Sequence, residues 1–266
     1  RLLSEVVGAP MQALLAEVAE QWRIEAPVYF EPFAHEALRA ANNTVLGVDL
    51  LPTYLLDEAD LLVSFGADFL ETWLSPVEYA RRFKKMHALH EGHKGGFIHL
   101  SPYQSLTAAN ADRWYGIRPG TEPSILLALI HHCLAAGRGN GLPRKIRNRL
   151  TETVAEATLD KAAAAAGIAP ADLKRLADRL VTAKHPLILG GGSGTAADHS
   201  DETELAALLL NLVLDPQLSR IDFDQAQNLA SASQRTTVNA LVEDVVGGKV
   251  QLLLVHNCNP VHALPQ

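Results

Sequence analysis

Short aliphatic runs alternate along this chain with longer stretches whose apolar residues recur every three or four positions. That alternation is the pattern of parallel strands joined by crossover helices. The spacing predicts strands at Leu2 to Val7, Val28 to Phe30, Leu61 to Phe65, Phe97 to Leu100, Trp114 to Ile117, Leu187 to Gly190 and Val250 to His256. Helices are predicted from about Pro10 to Trp22, near His35 to Ala41, from Pro76 to about His90, and from Glu122 to Gly137. Three more follow at Pro170 to Thr182, Glu202 to Leu212 and near Val238 to Val246. The helix at Pro170 is the best marked, with Pro at its first position and Leu173, Leu176, Ala177 and Leu180 on one face.

The expected class is α/β, as two Rossmann-like three-layer units with mainly parallel sheets. Gly, Asn and Pro crowd together in RGNGLP at 138–143, and the helix formers after it carry almost no strand signal. The expected organisation is therefore a first α/β unit at 1–140, a helical linker region at 141–168 and a second α/β unit at 169–266. The first residues, RLLSEVV, and the last, NPVHALPQ, both lie mid-pattern, so the expectation is a fragment of a longer polypeptide.

Composition narrows the function. A chain of 266 residues with 48% hydrophobic and 20% charged residues has enough apolar side chains to fold and is no disordered segment. The net charge of -7, with Lys and Arg scattered, argues against a nucleic-acid partner, which needs a basic stripe. The apolar runs are too short to cross a bilayer, so the chain is not expected to be transmembrane itself. Cys133 and Cys258 form no CxxC pair and no disulfide framework. His87, His90 and His93 stand at i, i+3 and i+6, where the third turns away from the first two, so no metal site is expected. His131 and His132 read as packing residues, and no GxSxG, HExxH or Walker loop occurs. No catalytic residue is assigned.

Three loops carry candidate chemistry. LLVSFGAD puts Gly66 and Asp68 at the carboxyl end of a strand, where open α/β sheets hold ligands. After PLIL, the string Gly190, Gly191, Gly192, Gly194 contains G-x-G-x-x-A over Gly192 to Ala197, the dinucleotide fingerprint. An NAD-dependent enzyme using this loop also needs a strand ending near Asp215, whereas LAALLLNLVL reads better as helix. Finally, RPGTE joins a strand to a helix. There Gly120 permits close approach, Thr121 can cap the helix and Glu122 enters its first turn, as a well-made helix start or as a ligand's hydrogen-bonding edge.

The ordered run AHEALRAANNTVLGVDLLPTYLLDEADLLVSFGADFLETWLSPVEYARRF, followed by FIHLSPYQSLTAANADRWYGIRPGTE, resembles the molybdopterin oxidoreductase superfamily. KHPLILGGGSG and LLLVHNCNPVHALP fit later segments of the same family. The nearest resemblance is to the large iron-sulfur and molybdopterin-like subunit of alternative complex III and its polysulfide-reductase-like relatives. The resemblance implies two Rossmann-like units whose loops, in cofactor-bearing relatives, hold molybdopterin guanine dinucleotide. It makes Gly66, Asp68, Asp112, Gly120, Thr121, Glu122, Gly191, Gly192, Gly194, Asn259 and Pro260 the matching cofactor-facing positions, with Glu122 in the place that recognises guanine.

Two departures from the family pattern weigh against a cofactor here. FEPFAHEAL offers Phe and Ala where a catalytic relative places its metal ligand, and HLSPYQS has Ser101 and Tyr103 in place of an acid and an Arg. The resemblance thus implies a cofactor-free scaffold within a respiratory electron-transfer subunit, its iron-sulfur clusters held by segments outside this chain. The implied partners are other subunits of a membrane-bound complex on the outer, periplasmic face of the cytoplasmic membrane, while the fragment itself is expected to be soluble. The alternatives are a catalytic molybdenum oxidoreductase binding the bis-molybdopterin guanine dinucleotide, and the NAD-dependent enzyme.

Overall fold

The computed structural model describes residues 1–89, 92–192 and 199–264. Its elements begin with β1 (Leu2–Glu5), α1 (Ala9–Gln21), β2 (Val28–Phe30), α2 (Glu36–Leu46), β3 (Thr53–Tyr54) and β4 (Leu61–Phe65). They continue with α3 (Pro76–His87), β5 (Gly96–Ser101), α4 (Leu106–Ala109), β6 (Arg113–Gly116) and α5 (Glu122–Ala135). Next come α6 (Arg144–Thr153), α7 (Leu159–Ala166), α8 (Pro170–Thr182), β7 (Pro186–Gly190) and α9 (Ser200–Leu214). The last are β8 (Ile221–Asp222), α10 (Arg235–Val246), β9 (Leu254–His256) and α11 (Pro260–Ala263).

The chain forms two compact units, one of residues 1–36 with 226–266 and the other of residues 37–225. The smaller unit is a parallel sheet in the order β2-β1-β9, with Leu3 facing both Val28 and Val255. Its core gathers Leu3, Val28 and Phe30 from the sheet with Val238 and Leu241 from α10.

The larger unit is built on a four-stranded parallel sheet in the order β6-β5-β4-β7. Side chains alternate across it, as the pleat requires. Leu61, Val63 and Phe65 of β4, with Ile98, Leu100 and Ile188, meet α5, α7, α8 and α9 on one face. On the other face Phe97 packs its ring against Phe69 and Phe83 at centroid distances of 5.3 Å each. Both faces are covered, which is why β4 is buried at all five residues. A short antiparallel pair, β3 with β8, stands apart from this sheet.

The α/β class and the parallel sheets agree with the sequence reading, but the division of the chain does not follow the expected segments. β7, expected in a second unit, pairs with β4 at the register Val63↔Ile188 and completes the first unit's sheet. The region expected as linker is packed core, with Ala162, Ala163 and Ala166 of α7 buried in the same cluster as α5 and α8. Periodicity identifies an amphipathic helix, but the sheet that covers its apolar face is a long-range matter. The last strand is shorter than expected, because only Leu254 to His256 pair with β1.

Candidate functional site

All four strands of the larger sheet run in one direction, so the loops after β4, β5, β6 and β7 emerge along one edge. From β4 the chain turns to α3 on one face, and from β7 it turns to α9 on the other. The β4/β7 boundary is therefore the topological switch point, where such folds form their ligand crevice. Gly66, Asp68, Gly120, Thr121, Glu122, Gly191 and Gly192 all lie on this edge. Gly194 and the rest of Gly192 to Ala197 beyond Gly192 lie outside the described residues, as does His90.

The loops on either side of the switch point are pressed together. Gly191 and Gly192 take left-handed backbone angles, φ +81° and +83°. A Cβ at Gly192 would stand 2.9 Å from the Gly66 carbonyl oxygen, 3.1 Å from Ala67 Cα and 3.3 Å from Asp68 Oδ1. The Asp68 carboxylate accepts a 2.7 Å hydrogen bond from the Thr72 hydroxyl. A second brace comes from α4, where Thr107 Oγ1 accepts from the Leu70 amide. The Leu106 amide in turn donates to the Glu71 carboxylate at 2.8 Å.

One buried acid stands out at this edge. Glu204, in the second turn of α9, is 4% exposed. Its Oε2 lies 2.9 Å from where a Cβ at Gly190 would stand, and a Cβ at Gly191 would overlap its Oε1. Desolvation, with the nearby Asp201 charge adding to it, raises its pKa to about 8. Sequence reasoning passed over Glu204. The available signal was helical spacing, since Glu204, Ala207, Leu208 and Asn211 share one stripe that is otherwise packed inward.

At RPGTE the loop is tied down from within. The Thr121 hydroxyl does not cap α5, because it donates back to the Arg118 carbonyl at 2.6 Å. Gly120, at φ +79°, leaves room for the His199 ring, whose Cδ2 is 2.8 Å from the position of a Cβ. Glu122 is fully buried, and neither carboxylate oxygen has a well-formed hydrogen bond among the described residues. Burial raises its pKa against the opposing pull of the Glu122 and Gly120 amides and His199. The Arg118 guanidinium, meanwhile, faces α7 and donates to the carbonyls of Ala164 and Ala165.

Asp112 does not join these residues. It immediately precedes β6, at the amino end of the sheet, where its carboxylate accepts from the Phe97 amide at 2.8 Å and from Lys94 at 2.6 Å. Partial burial works to raise its pKa, but Lys94, the Phe97 amide and His87 together hold it below the usual value. It thus lies at the end of the sheet opposite the carboxyl-edge loops among which the resemblance places it. Asn259 and Pro260 belong to the smaller unit, after β9, where the Asn259 side chain accepts from the His262 amide and caps α11. Ser101, the last residue of β5, accepts from the Trp114 indole and donates to the Tyr103 carbonyl.

The NAD reading fails on the fold. α9 continues to Leu214, and Asp215 ends that helix with its carboxylate accepting from the Ser219 amide and pairing with Arg220. No strand presents Asp215 to a ribose. Among the described residues there is also no group of three or more His, Cys, Asp or Glu arranged to hold a metal ion.

The edge also fits a nucleotide pyrophosphate poorly. Across segments 66–75, 101–111, 117–121 and 191–199 the only Lys or Arg is Arg118, and it is engaged with α7. The carboxyl of Glu204 lies against the glycines whose bare backbone a phosphate would approach.

A parallel α/β fold with such a switch point is shared by many nucleotide- and cofactor-binding proteins, and comparison with known proteins narrows the field. No family model matches the chain. It is similar to the menaquinone reductase, molybdopterin-binding-like subunit of Nitratidesulfovibrio vulgaris, 26% identical over 229 residues. That match takes in 80% of this chain and 32% of the relative, so the chain spans about a third of the relative's length. In fold it is similar to acetylene hydratase from Pelobacter acetylenicus, with a TM-score of 0.59 and 18% identity over 80% of this chain and 29% of that one. The resemblance to the molybdopterin oxidoreductase superfamily thus stands in both sequence and fold.

Proposed function

We propose that this chain is part of a molybdopterin-oxidoreductase-like subunit of a respiratory electron-transfer complex, and that it serves there as a scaffold without a molybdenum cofactor. The single observation that carries the reading is the carboxyl edge of the larger sheet, where buried Glu204 lies against the glycine run and the lone Arg118 is turned away. A dinucleotide brings several negative charges, and an edge that presents no free Lys or Arg among the described residues offers them no compensation. Electron transfer would then run through iron-sulfur clusters in segments outside this chain. The partners are the other subunits of a membrane-bound complex of the alternative complex III type, on the periplasmic face. The relative's name, a subunit of a menaquinone reductase, supports a multi-subunit setting. No helix among the described residues is long and apolar enough to cross a membrane, so attachment would come from those partners.

A second reading, a catalytic molybdenum oxidoreductase holding the bis-guanine-dinucleotide cofactor, has one observation in its favour. Glu122 is a buried acid with no well-formed hydrogen bond among the described residues at a strand-to-helix junction, which is what a purine edge with two N–H donors would satisfy. Elemental analysis for molybdenum and tungsten, with an oxidised-pterin fluorescence assay, separates the two readings on the full-length parent purified from its native host. An active, iron-replete complex is expected to lack both metals and pterin. Stoichiometric metal with two pterins per subunit would overturn the scaffold reading.

A further inference from the structure

We infer that helix α6 of the larger unit is a docking face for an acidic surface on another protein subunit, with Arg144, Lys145 and Arg149 as its contacts. The inference rests on the multi-subunit setting proposed above and on neither reading of the cofactor.

One segment breaks the scatter of positive charge along the chain. Arg144, Lys145, Arg147 and Arg149 fall within six residues, with no acid before Glu152, in a chain whose net charge is -7. Arg144, Lys145 and Arg149 are exposed, and among the described residues their side chains have no ion-pair or hydrogen-bond partner. Arg147 is engaged within the chain, donating to the Asn140 side-chain oxygen at 2.6 Å. Leu150 and Val154, four residues apart, turn the other side of α6 to the core.

These cations work against the helix that carries them. Positive charge in the first turn opposes the helix dipole, and α6 begins with Arg144 and Lys145, with no acid and no side-chain cap there. Lys145 and Arg149 stand at i and i+4, and Arg144 and Arg147 at i and i+3, so like charges are also neighbours on the surface. No residue of the ten in α6 is buried, so packing does little to offset the repulsion. An external set of carboxylates removes the conflict, because it neutralises the repelling cations and complements the amino end of the helix. Local conflicts of this kind mark positions held for function.

The chemistry of the partner follows from the size and make-up of the patch. Arg144 and Arg149 present planar forks that bind carboxylates through paired hydrogen bonds. Six helical residues span only ~9 Å, too short for the stripe that a nucleic acid needs. The net charge of -7 repels any larger polyanion that reaches past the patch. An anionic bilayer would also need apolar side chains to enter it, and the one large hydrophobic that α6 exposes is Ile146.

The test uses the full-length parent and the complex purified from its native host. Arg144→Glu, Lys145→Glu and Arg149→Glu together should weaken assembly with the other subunits by about tenfold or more, measured by reconstitution. Freed of its partners, the same variant should be no less stable to urea than the wild type, because acids complement the amino end of α6. A lowered urea midpoint with unchanged assembly would assign these cations a role inside the chain and overturn the inference.

Carbodiimide coupling of the unaltered complex joins an amine directly to a carboxylate in contact with it. Read by mass spectrometry, it should link Lys145 to an Asp or Glu of another subunit. In an intact complex, a Lys145 that links only to a second copy of this chain, only within its own chain, or not at all would refute the inference and leave the multi-subunit reading standing. Binding of the wild type to phosphatidylglycerol vesicles that the triple variant loses, with assembly unaffected, would reassign the face to a membrane. A parent that purifies without other subunits would sink reading and inference together.

Discussion

At the scale of single residues, glycine does different work at different loops, and substitution can tell the roles apart. Gly137 and Gly192 both hold left-handed backbone, at φ +87° and +83°. A Cβ at Gly137 meets nothing within 4 Å, whereas one at Gly192 meets backbone atoms of Gly66 and Ala67 that cannot move aside. Gly137→Ala should therefore cost only the conformational term, ~1–2 kcal/mol. Gly192→Ala adds overpacking and should cost ~2–4 kcal/mol in all. Urea denaturation of both variants measures the difference. If the two cost the same, the loops after β4 and β7 are not in the close contact described.

At the scale of elements, β7 presents a problem that α9 solves. β7 lies at the edge of the sheet, with β4 on one side only. Its backbone is fully buried, so the N–H and C=O that face away from β4 need partners. Asn211 of α9 supplies them like a piece of strand, accepting from the Ile188 amide and donating to the Ile188 carbonyl, both at 2.9 Å. Asn211→Ala should strand both groups and cost ~2–4 kcal/mol, measured as a lowered urea midpoint at unchanged m-value. A loss below ~0.5 kcal/mol would show that water or a shifted helix replaces the amide.

Sequence patterns revealed elements better than they revealed such partnerships. β4 and α8 were legible residue by residue, because a five-residue aliphatic run and a Pro-started apolar stripe each have one reading. β3 and β8 were not, since two-residue strands carry no periodicity and pair across most of the larger unit. Gly66, Gly120, Gly191 and Gly192 were legible as strand-to-loop junctions. Glu204, Asn211 and His199 were not, because their importance lies in what a distant segment places against them. Asp112 misled for the same reason, since its position next to a strand does not say which end of the sheet that strand presents.

On the scale of the whole larger unit, two buried titratable groups tilt stability in opposite directions. His99 is buried on β5 with neither ring nitrogen hydrogen-bonded among the described residues, and desolvation lowers its pKa to about 4. Between pH 6.5 and 4 the unfolded chain therefore takes up a proton that the folded protein refuses, so stability falls as pH falls. Glu204 behaves in the reverse sense. Its folded pKa of about 8 lies above the unfolded value of 4.5, so the folded protein keeps its proton while the unfolded chain loses one. Stability declines as pH rises from 4.5 to 8 and levels off above that.

The two effects compete between pH 4.5 and 6.5, and above 6.5 the Glu204 contribution has a limiting slope of ~1.4 kcal/mol per pH unit, with buried Glu122 adding to it in the same sense. Lys94 and Arg82 hold Asp112 and Asp57 below their usual values, so those carboxylates contribute only at the acid end. The two slopes offset each other, so unfolding free energy is expected to be nearly flat from pH 4.5 to 6.5 and to decline above it. Glu204→Gln should reduce the decline from pH 6.5 to 8 and expose a fall in stability as pH drops from 6.5 to 4, while His99→Leu should extend the alkaline decline down to about pH 4.5. Urea titrations at half-unit pH steps provide the check, and an undiminished alkaline decline in Glu204→Gln would show that Glu204 is not held as a buried acid.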